Sequence, residues 1–343
     1  MRGKAKGQPA LAGIKQVAAR AGVSIASVSR ALSGHPHVSP ELKMRVEAAV
    51  RSLNYAPNRA ASTLRARSTR IIGVVIPDIN NPFFTSVVGG IESVLHRAGY
   101  SLLLTNSNEN PKRERDNVRT LQAENVAGIA FTPSAADASV YRKIGMAGVA
   151  LVAIARVPGF AVDSVTVDGA EGAERAVSRL IQLGHRSIAL ISGPEWSSSV
   201  QDRQAGYERA FRLAGLPAPT GLVIHSDLRQ KGGHDAMSDL LNRRPRPTAA
   251  FVGNNLMTLG ALTAIHERGL RIPEDIAVIG FDDLPWATSL QPPLTAVALP
   301  TEAVGVTAAQ LLLDRLRDPS RPVRRVTLAT ELVVRASCGS KRD

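Results

Sequence analysis

A chain of 343 residues with 44% hydrophobic and 21% charged residues is long enough to bury a sizeable core and to divide into two or three domains of ordinary globular composition. No uninterrupted apolar run approaches the roughly 20 residues that a bilayer span requires, and the basic N-terminal residues lead into no apolar signal-peptide core. The single cysteine, Cys338, argues against an internal disulfide framework or a multi-cysteine zinc site, so a cytoplasmic protein is expected. The formal net charge of +13 is unevenly spread. Residues 1–70 hold thirteen Lys and Arg against Glu41 and Glu47, while the rest of the chain holds 29 basic and 27 acidic residues. Charge concentrated in one fifth of a chain points to a polyanionic partner. Nucleic acid is the better fit than a membrane surface, because no basic stretch here carries a large aromatic or leucine face.

In chain order, the first helical pattern is IKQVAARA (14–21), with Ile14, Val17, Ala18 and Ala21 on one face. Gly22-Val23-Ser24 then supplies a turn residue suited to positive φ and a hydroxyl able to cap the next helix. That helix, IASVSRAL (25–32), is expected to turn Val28 and Leu32 inward and to leave Ile25, Ala26, Ser29 and Arg30 outward. Ser39-Pro40-Glu41 starts a third helix with a cap, a first-turn proline and a dipole-compatible acid, and Leu42, Val46, Val50 and Leu53 form its apolar stripe. Two short helices joined by a tight glycine turn match a helix-turn-helix, in which the second helix enters the major groove. Periodicity alone leaves any three-helix bundle open.

The letters narrow this. Ala21-Gly22-Val23-Ser24, Val28-Ser29-Arg30, Leu53-Asn54-Tyr55 and Pro57-Asn58-Arg59 closely resemble the DNA-binding head of the lactose-repressor (LacI/GalR) family of bacterial regulators. The resemblance implies that Ile25 and Ala26 occupy the positions that discriminate operators, with Ser24, Ser29, Arg30 and His37 near bases or phosphates. An Ile-Ala pair there implies apolar contact, for example with a thymine methyl, more than hydrogen-bond readout. Gly13 and Gln16 stand where the family usually has Thr and Asp, which should weaken the first cap by about a few tenths of a kcal/mol.

Residues 57–70 (PNRAASTLRARSTR) are basic and rich in small residues, a linker by composition. The resemblance implies a hinge helix that folds on DNA in the minor groove. Leu64 would be an apolar wedge between base steps, Ala61 the small residue permitting close approach, and Asn58 and Arg59 contacts to the backbone.

From Ile71 onward short apolar runs alternate with helical patterns. Strands are predicted at 71–76, 102–105, 128–131, 149–154, 188–192, 222–225, 249–252 and 276–280, and helices near 83–98, 112–124, 170–183, 202–214, 231–243, 255–269 and 301–317. This is the signature of parallel sheets covered by helices. The length exceeds one doubly wound unit, so two α/β lobes are expected, with ligand outside the carboxyl ends of the strands. A dehydrogenase is the competing reading, but Gly73 belongs to no G-x-G-x-x-G, Gly89-Gly90 lies inside a helical pattern, and there is no P-loop. His185 and Ser192 show no spacing that would assemble a nucleophile and base, and His185 is expected to hold the turn before a strand. No catalytic residue, cofactor or metal is expected. A solute-binding protein would share such lobes but needs a signal peptide and no basic head.

The segments IGVVIPDINNPFF, LGHRSIALISGP, RPTAAFVGNN and RIPEDIAVIGFDDLPWA extend the family resemblance over nearly the whole chain. The fold class it implies is an all-α helix-turn-helix head plus a two-lobed, periplasmic-binding-protein-like α/β sensor. Expected boundaries are a head at 1–56, a hinge at 57–70, a sensor at 71–336 and a tail at 337–343. Three crossings would divide the sensor into lobe 1 (about 71–168 and 297–323) and lobe 2 (about 169–296 and 324–336). The cleft candidates are Asp78, Asn81, Phe84 and Arg156 from the first lobe, and Arg203, Asn254 and Asp282 from the second. Ile154-Ala155-Arg156 and Asn254-Asn255 stand where many sugar-binding relatives carry an acid. Loss of those acids beside two arginines suggests a carboxylate- or phosphate-bearing effector, such as a sugar acid, within the wider expectation of a sugar-like metabolite. The partners implied are double-stranded DNA with a palindromic operator, that effector, and a second copy of the chain. A homodimer is preferred to a tetramer because no leucine heptad closes the sequence. The function expected is that of a transcriptional regulator, a repressor controlled by its effector.

Overall fold

The computed structural model describes residues 12–32, 37–55, 69–135 and 138–339. The chain divides into two compact units, Met1–Thr69 and Arg70–Asp343.

In the first unit, α1 (Ile14–Ala21), α2 (Ile25–Leu32) and α3 (Pro40–Ser52) close around Val17, Ala18, Ala21, Val28, Ala31, Val46 and Ala49. Gly22 takes the left-handed conformation (φ +63°) that ends α1, and its N–H returns to the carbonyls of Ala18 and Ala19. Ser24 caps α2, its Oγ accepting the Ser27 N–H at 3.1 Å, and Ser39 caps α3 by accepting from Leu42. Arg45 reaches from α3 to donate to the Ala21 carbonyl (2.6 Å), tying the turn to the third helix. The first cap is only partly weakened: Gln16 Oε1 accepts the Gly13 N–H at 2.7 Å. One inward position is corrected. Leu32 is 36% exposed and Ala31 is buried in its place. The two lie one residue apart on the same turn, and the closely packed core takes the smaller side chain while Leu32 moves to the rim.

In the second unit two six-stranded sheets are each wrapped by helices. The first contains β1 (Ile71–Ile76), β2 (Ser101–Asn106), β3 (Gly128–Phe131), β4 (Ala150–Ile154), β5 (Asp163–Val167) and β11 (Arg325–Leu328), in the order β11-β5-β4-β3-β1-β2, all parallel. The second contains β6 (Ile188–Ser192), β7 (Val223–His225), β8 (Ala249–Val252), β9 (Ala277–Phe281), β10 (Thr295–Ala298) and β12 (Glu331–Val333), in the order β12-β10-β9-β8-β6-β7. Only the β10–β12 pairing is antiparallel. The central strands are buried on both faces and read as continuous apolar runs such as IIGVVI, as covered parallel strands must.

Helices α4 (Pro82–Arg97), α5 (Pro111–Ala123), α6 (Ser139–Met146) and α11 (Thr301–Arg317) belong to the first lobe. Helices α7 (Gly169–Gln182), α8 (Ser198–Leu213), α9 (Gln230–Asn242) and α10 (Asn255–Glu267) belong to the second. Helices α4 and α11 approach so closely that a Cβ at Gly305 would lie 2.1 Å from the Val87 carbonyl oxygen, so glycine there is a packing requirement. His185 is buried in the turn before β6, with Nδ1 2.9 Å from Thr248 Oγ1.

The chain crosses between lobes three times: at Asp168–Gly169, between β10 and α11, and at 329–330. Two expected boundaries shift. Residues 297 and 298 lie in β10, in the second lobe's sheet, and residues 325–328 form β11 in the first lobe's sheet. The cause is pairing: Arg325–Leu328 finds its partner in β5, more than 150 residues earlier in sequence. The first and third crossings are joined by Asp168 N–H to Leu328 O (2.9 Å) and Thr330 Oγ1 to Asp168 O (3.2 Å).

Candidate nucleic-acid interface and ligand cleft

On the head, α2 leaves Ile25 39% exposed, beside exposed Ala26 and Arg30 and half-buried Ser29. Ser24 and His37 are exposed as well. A β-branched apolar residue at the N-terminal turn of a helix is given to solvent, while the opposite face supplies Val28 and Ala31 to the core. That surface can enter a groove and make apolar contact with a base edge. Asn58, Arg59, Ala61 and Leu64 lie outside the described residues.

In the second unit, the carboxyl ends of both sheets face one cleft, and all seven expected residues line it: Asp78, Asn81, Phe84, Arg156, Arg203, Asn254 and Asp282. Turns after the strands bring Asp78, Asn81, Arg156, Asn254 and Asp282 there, and helices α4 and α8 bring Phe84 and Arg203. Several of these turns use left-handed backbone at non-glycine residues, namely Asn108 (φ +55°), Glu109 (+53°), Ala155 (+61°), Leu228 (+63°) and Asp282 (+72°). Such strain, about 1–3 kcal/mol per residue, collects where surrounding structure must aim a side chain.

The polar atoms divide into engaged and free. Asn254 is engaged at both amide atoms: Oδ1 accepts the Met257 N–H (2.8 Å) at the start of α10, and Nδ2 donates to Leu228 O (2.9 Å). Asn81 Oδ1 caps α4 through the Phe83 N–H (2.9 Å) and also accepts Asn255 Nδ2 (2.8 Å) from the opposite lobe. Asp78 Oδ1 accepts the Asn80 N–H. Asp282 Oδ2 accepts the Asn255 N–H at 3.2 Å. Left buried without a partner are Asp282 Oδ1, Asn255 Oδ1 and Arg203 Nε, two acceptors and one donor. Arg203 otherwise donates Nη1 to Gly253 O, and its Cζ lies 4.0 Å from the Phe281 ring centroid. Burial raises the Asp282 carboxyl above its ordinary pKa, opposed by Arg203 and the Asn255 N–H; burial likewise lowers the Arg203 guanidinium, opposed by Asp282. Phe83, Phe84, Val167, Leu256 and Leu299 supply apolar walls.

The charges differ from the expectation. Glu109, absent from the sequence-derived set, lines the cleft and pairs with both Nη atoms of Arg156. Arg229, also unforeseen, donates from the second lobe to Asn108 O (2.8 Å) and Oδ1 (3.2 Å). The lining therefore holds Asp78, Glu109 and Asp282 against Arg156, Arg203 and Arg229, a charge-balanced set. Inference of an acidic effector from a shortage of carboxylates loses its basis. Cross-lobe bonds, including Val157 N–H to Ser198 Oγ (2.9 Å), hold the cleft nearly shut around about 50 Å3. Ligand clefts commonly span about 300–1,000 Å3, so this arrangement of the side chains leaves less room than a bound ligand usually takes.

Behind the cleft, buried Glu114 of α5 accepts the Tyr141 hydroxyl (2.7 Å) and the Ser134 N–H (2.9 Å). Burial raises its carboxyl above the ordinary value of 4.5, against the opposing effect of those bonds and of Arg156. The folded chain thus holds this proton to higher pH than the unfolded one, so its contribution to stability falls as pH rises through that range. We expect Glu114→Gln to flatten the part of the unfolding-midpoint profile just above the ordinary carboxylate range, measured by urea titration of the full chain. An unchanged slope would contradict it.

A helix-turn-helix head followed by a two-lobed α/β clamp with a polar cleft defines a DNA-binding regulator with a small-molecule sensor. Family models agree: the lacI family of bacterial regulatory proteins matches residues 13–58, and a periplasmic binding protein-like domain matches residues 177–338. The ribose operon repressor of Escherichia coli (strain K12) is 34% identical over 336 residues, covering 95% of this chain and all of its own. The HTH-type transcriptional regulator CelR of Thermobifida fusca is 36% identical over 332 residues, covering 94% and 97%. Among solved structures, the lac repressor dimer bound to operator and the anti-inducer ONPF superposes with a TM-score of 0.84 at 28% identity, covering 96% and 99%. A transcriptional regulator CelR–cellobiose complex gives 0.73 at 33% identity, covering 95% and 99%. The chain belongs to the lacI family of bacterial regulatory proteins and is a DNA-binding transcriptional regulator, not an enzyme.

Proposed function

We propose that this regulator is a cytoplasmic homodimeric repressor that reads a symmetric operator and releases or grips it according to a neutral sugar held between the sensor lobes. The observation that carries the effector reading is the cleft: a buried acceptor, Asp282 Oδ1, and a buried donor, Arg203 Nε, both without partners, on a lining whose charges already cancel. Hydroxyl groups both donate and accept, so a polyol can satisfy Asp282 and Arg203 together. Asp78, Asn81, Phe84, Arg156 and Asn254 would shape the site. Relatives whose names specify ribose and cellobiose support this class. On DNA, Ile25 and Ala26 would meet base edges, and Ser24, Ser29, Arg30 and His37 bases or phosphates. Asn58, Arg59, Ala61 and Leu64 would serve the hinge. Two heads on a two-fold axis imply half-sites related by a dyad, and the similar lac repressor structure is a dimer bound to operator. Coupling requires that the effector prefer one lobe arrangement over the other.

The test is selection of bound DNA from a random library with the full chain, followed by release assays with neutral sugars. A palindrome with a flexible pyrimidine–purine centre, released or tightened by one sugar, is the expected result. Enrichment of no symmetric site would overturn the DNA reading.

A further inference from the structure

One ion pair in the cleft is closed on itself. Arg156 donates Nη1 to Glu109 Oε2 (2.9 Å) and Nη2 to Oε1 (2.6 Å), and Nη1 also reaches the Pro133 carbonyl (2.9 Å). The two side chains are only 6% and 17% exposed. From the second lobe, the Trp196 ring centroid lies 5.4 Å from the Arg156 Cζ. Glu109 follows Asn108 in the left-handed region, with φ of +53° and +55°. Asn enters that region readily and Glu does not, so a turn needing only its backbone shape would carry Gly or Asn at 109 also. The strained position keeps a carboxylate where it can face Arg156. Glu114 cannot replace it, because its two oxygens are engaged by Tyr141 and Ser134.

We infer that Glu109 is a specificity-determining residue that makes the cleft selective for neutral effectors by cancelling Arg156. This inference rests on the reading of the cleft as the effector site. An anionic sugar would have to displace a bidentate, charge-assisted partner or lie buried beside a second carboxylate, and both are unfavourable. Without Glu109, a buried guanidinium faces the cleft, a geometry suited to carboxylate or phosphate. Without Arg156, a buried carboxylate faces it, suited to an ammonium group.

The experiment uses the full chain as wild type, E109Q, R156Q and E109Q/R156Q. The readouts are thermal-melting shifts and titration calorimetry with D-ribose, D-glucose and cellobiose, with D-gluconate, D-glucuronate and ribose 5-phosphate, and with D-glucosamine. Wild type should respond to a neutral sugar and ignore both charged sets. Folded E109Q should bind at least one acid ten-fold or more tighter than wild type, and the double variant should lose that gain. Should E109Q fail to fold, R156Q carries the test through a matching gain for D-glucosamine over D-glucose. Wild type preferring acids, or a folded E109Q silent to every acid, overturns the inference; so does R156Q without the amine gain when it stands in for E109Q. If a neutral sugar still shifts wild type in those cases, and D282N abolishes that shift, the cleft reading survives. If neither occurs, both fail.

Discussion

Replacing Asp163 by Asn should lower the unfolding free energy by about 3–5 kcal/mol, the scale for breaking a buried ion pair and stranding its partner. The Asp163 side chain is fully buried at the start of β5. Its Oδ2 accepts from Arg315 Nε (3.1 Å) and Arg321 Nη2 (2.6 Å), and its Oδ1 from Arg315 Nη2 (3.0 Å) and the Arg324 N–H (2.7 Å). The Arg321 side chain is only 8% exposed, and its Nε and Nη1 have no hydrogen-bond partner among the described residues. An asparagine presents one acceptor and turns an NH2 toward two guanidinium groups. The same carboxylate anchors the loop leading into β11, so the β11–β5 pairing should loosen with it. Urea titration should give a lower midpoint at unchanged m, and hydrogen exchange should rise first at 325–328. A loss under about 1 kcal/mol would show that the cluster is dispensable.

Asp282→Asn should weaken the neutral effector ten- to a hundred-fold, the effect of about 1.4–3 kcal/mol expected for a hydrogen bond to a charged group. Asp282 Oδ1 is a buried acceptor without a partner, and the carboxylate also faces the Arg203 charge. Asparagine tolerates left-handed backbone at least as well as aspartate does, so the turn at φ +72° should survive. Operator affinity without effector should therefore be unchanged while the sugar response falls, read by calorimetry with the sugar that stabilises wild type and by operator binding in parallel. Equal loss of both would place Asp282 in the fold instead of the ligand site.

Much of this architecture is local and therefore legible in the chain. Gly22, Ser24 and Ser39 mark the head's turns through φ and capping, which involve neighbours a few residues away. The buried parallel strands announce themselves as apolar runs. Once strands and helices alternate, the rule that ligands meet carboxyl ends places the cleft, and the family resemblance then picks out Asp78, Asn81, Arg203, Asn254 and Asp282 around it.

What escaped was decided at long range. β5 opens with a buried aspartate and a serine, and looks polar until Arg315 and Arg321 are placed against it. β11 and β12 are short, half-exposed edge strands that exist because β5 and β10 offer partners. The choice of Ala31 over Leu32 depends on how closely three helices approach. Most consequentially, residue types on separate turns do not disclose which charges meet. Arg156 alone suggests an anion site, but Arg156 bound to Glu109 from another turn leaves a neutral one. The letters of the chain carried the class of this regulator through a resemblance, while its caps, its central strands and part of its cleft lining were legible because they follow from local periodicity and backbone preference. The pairing of its buried charges was settled by the folded arrangement alone, because electrostatic cancellation depends on distances of a few ångströms between residues far apart in the chain.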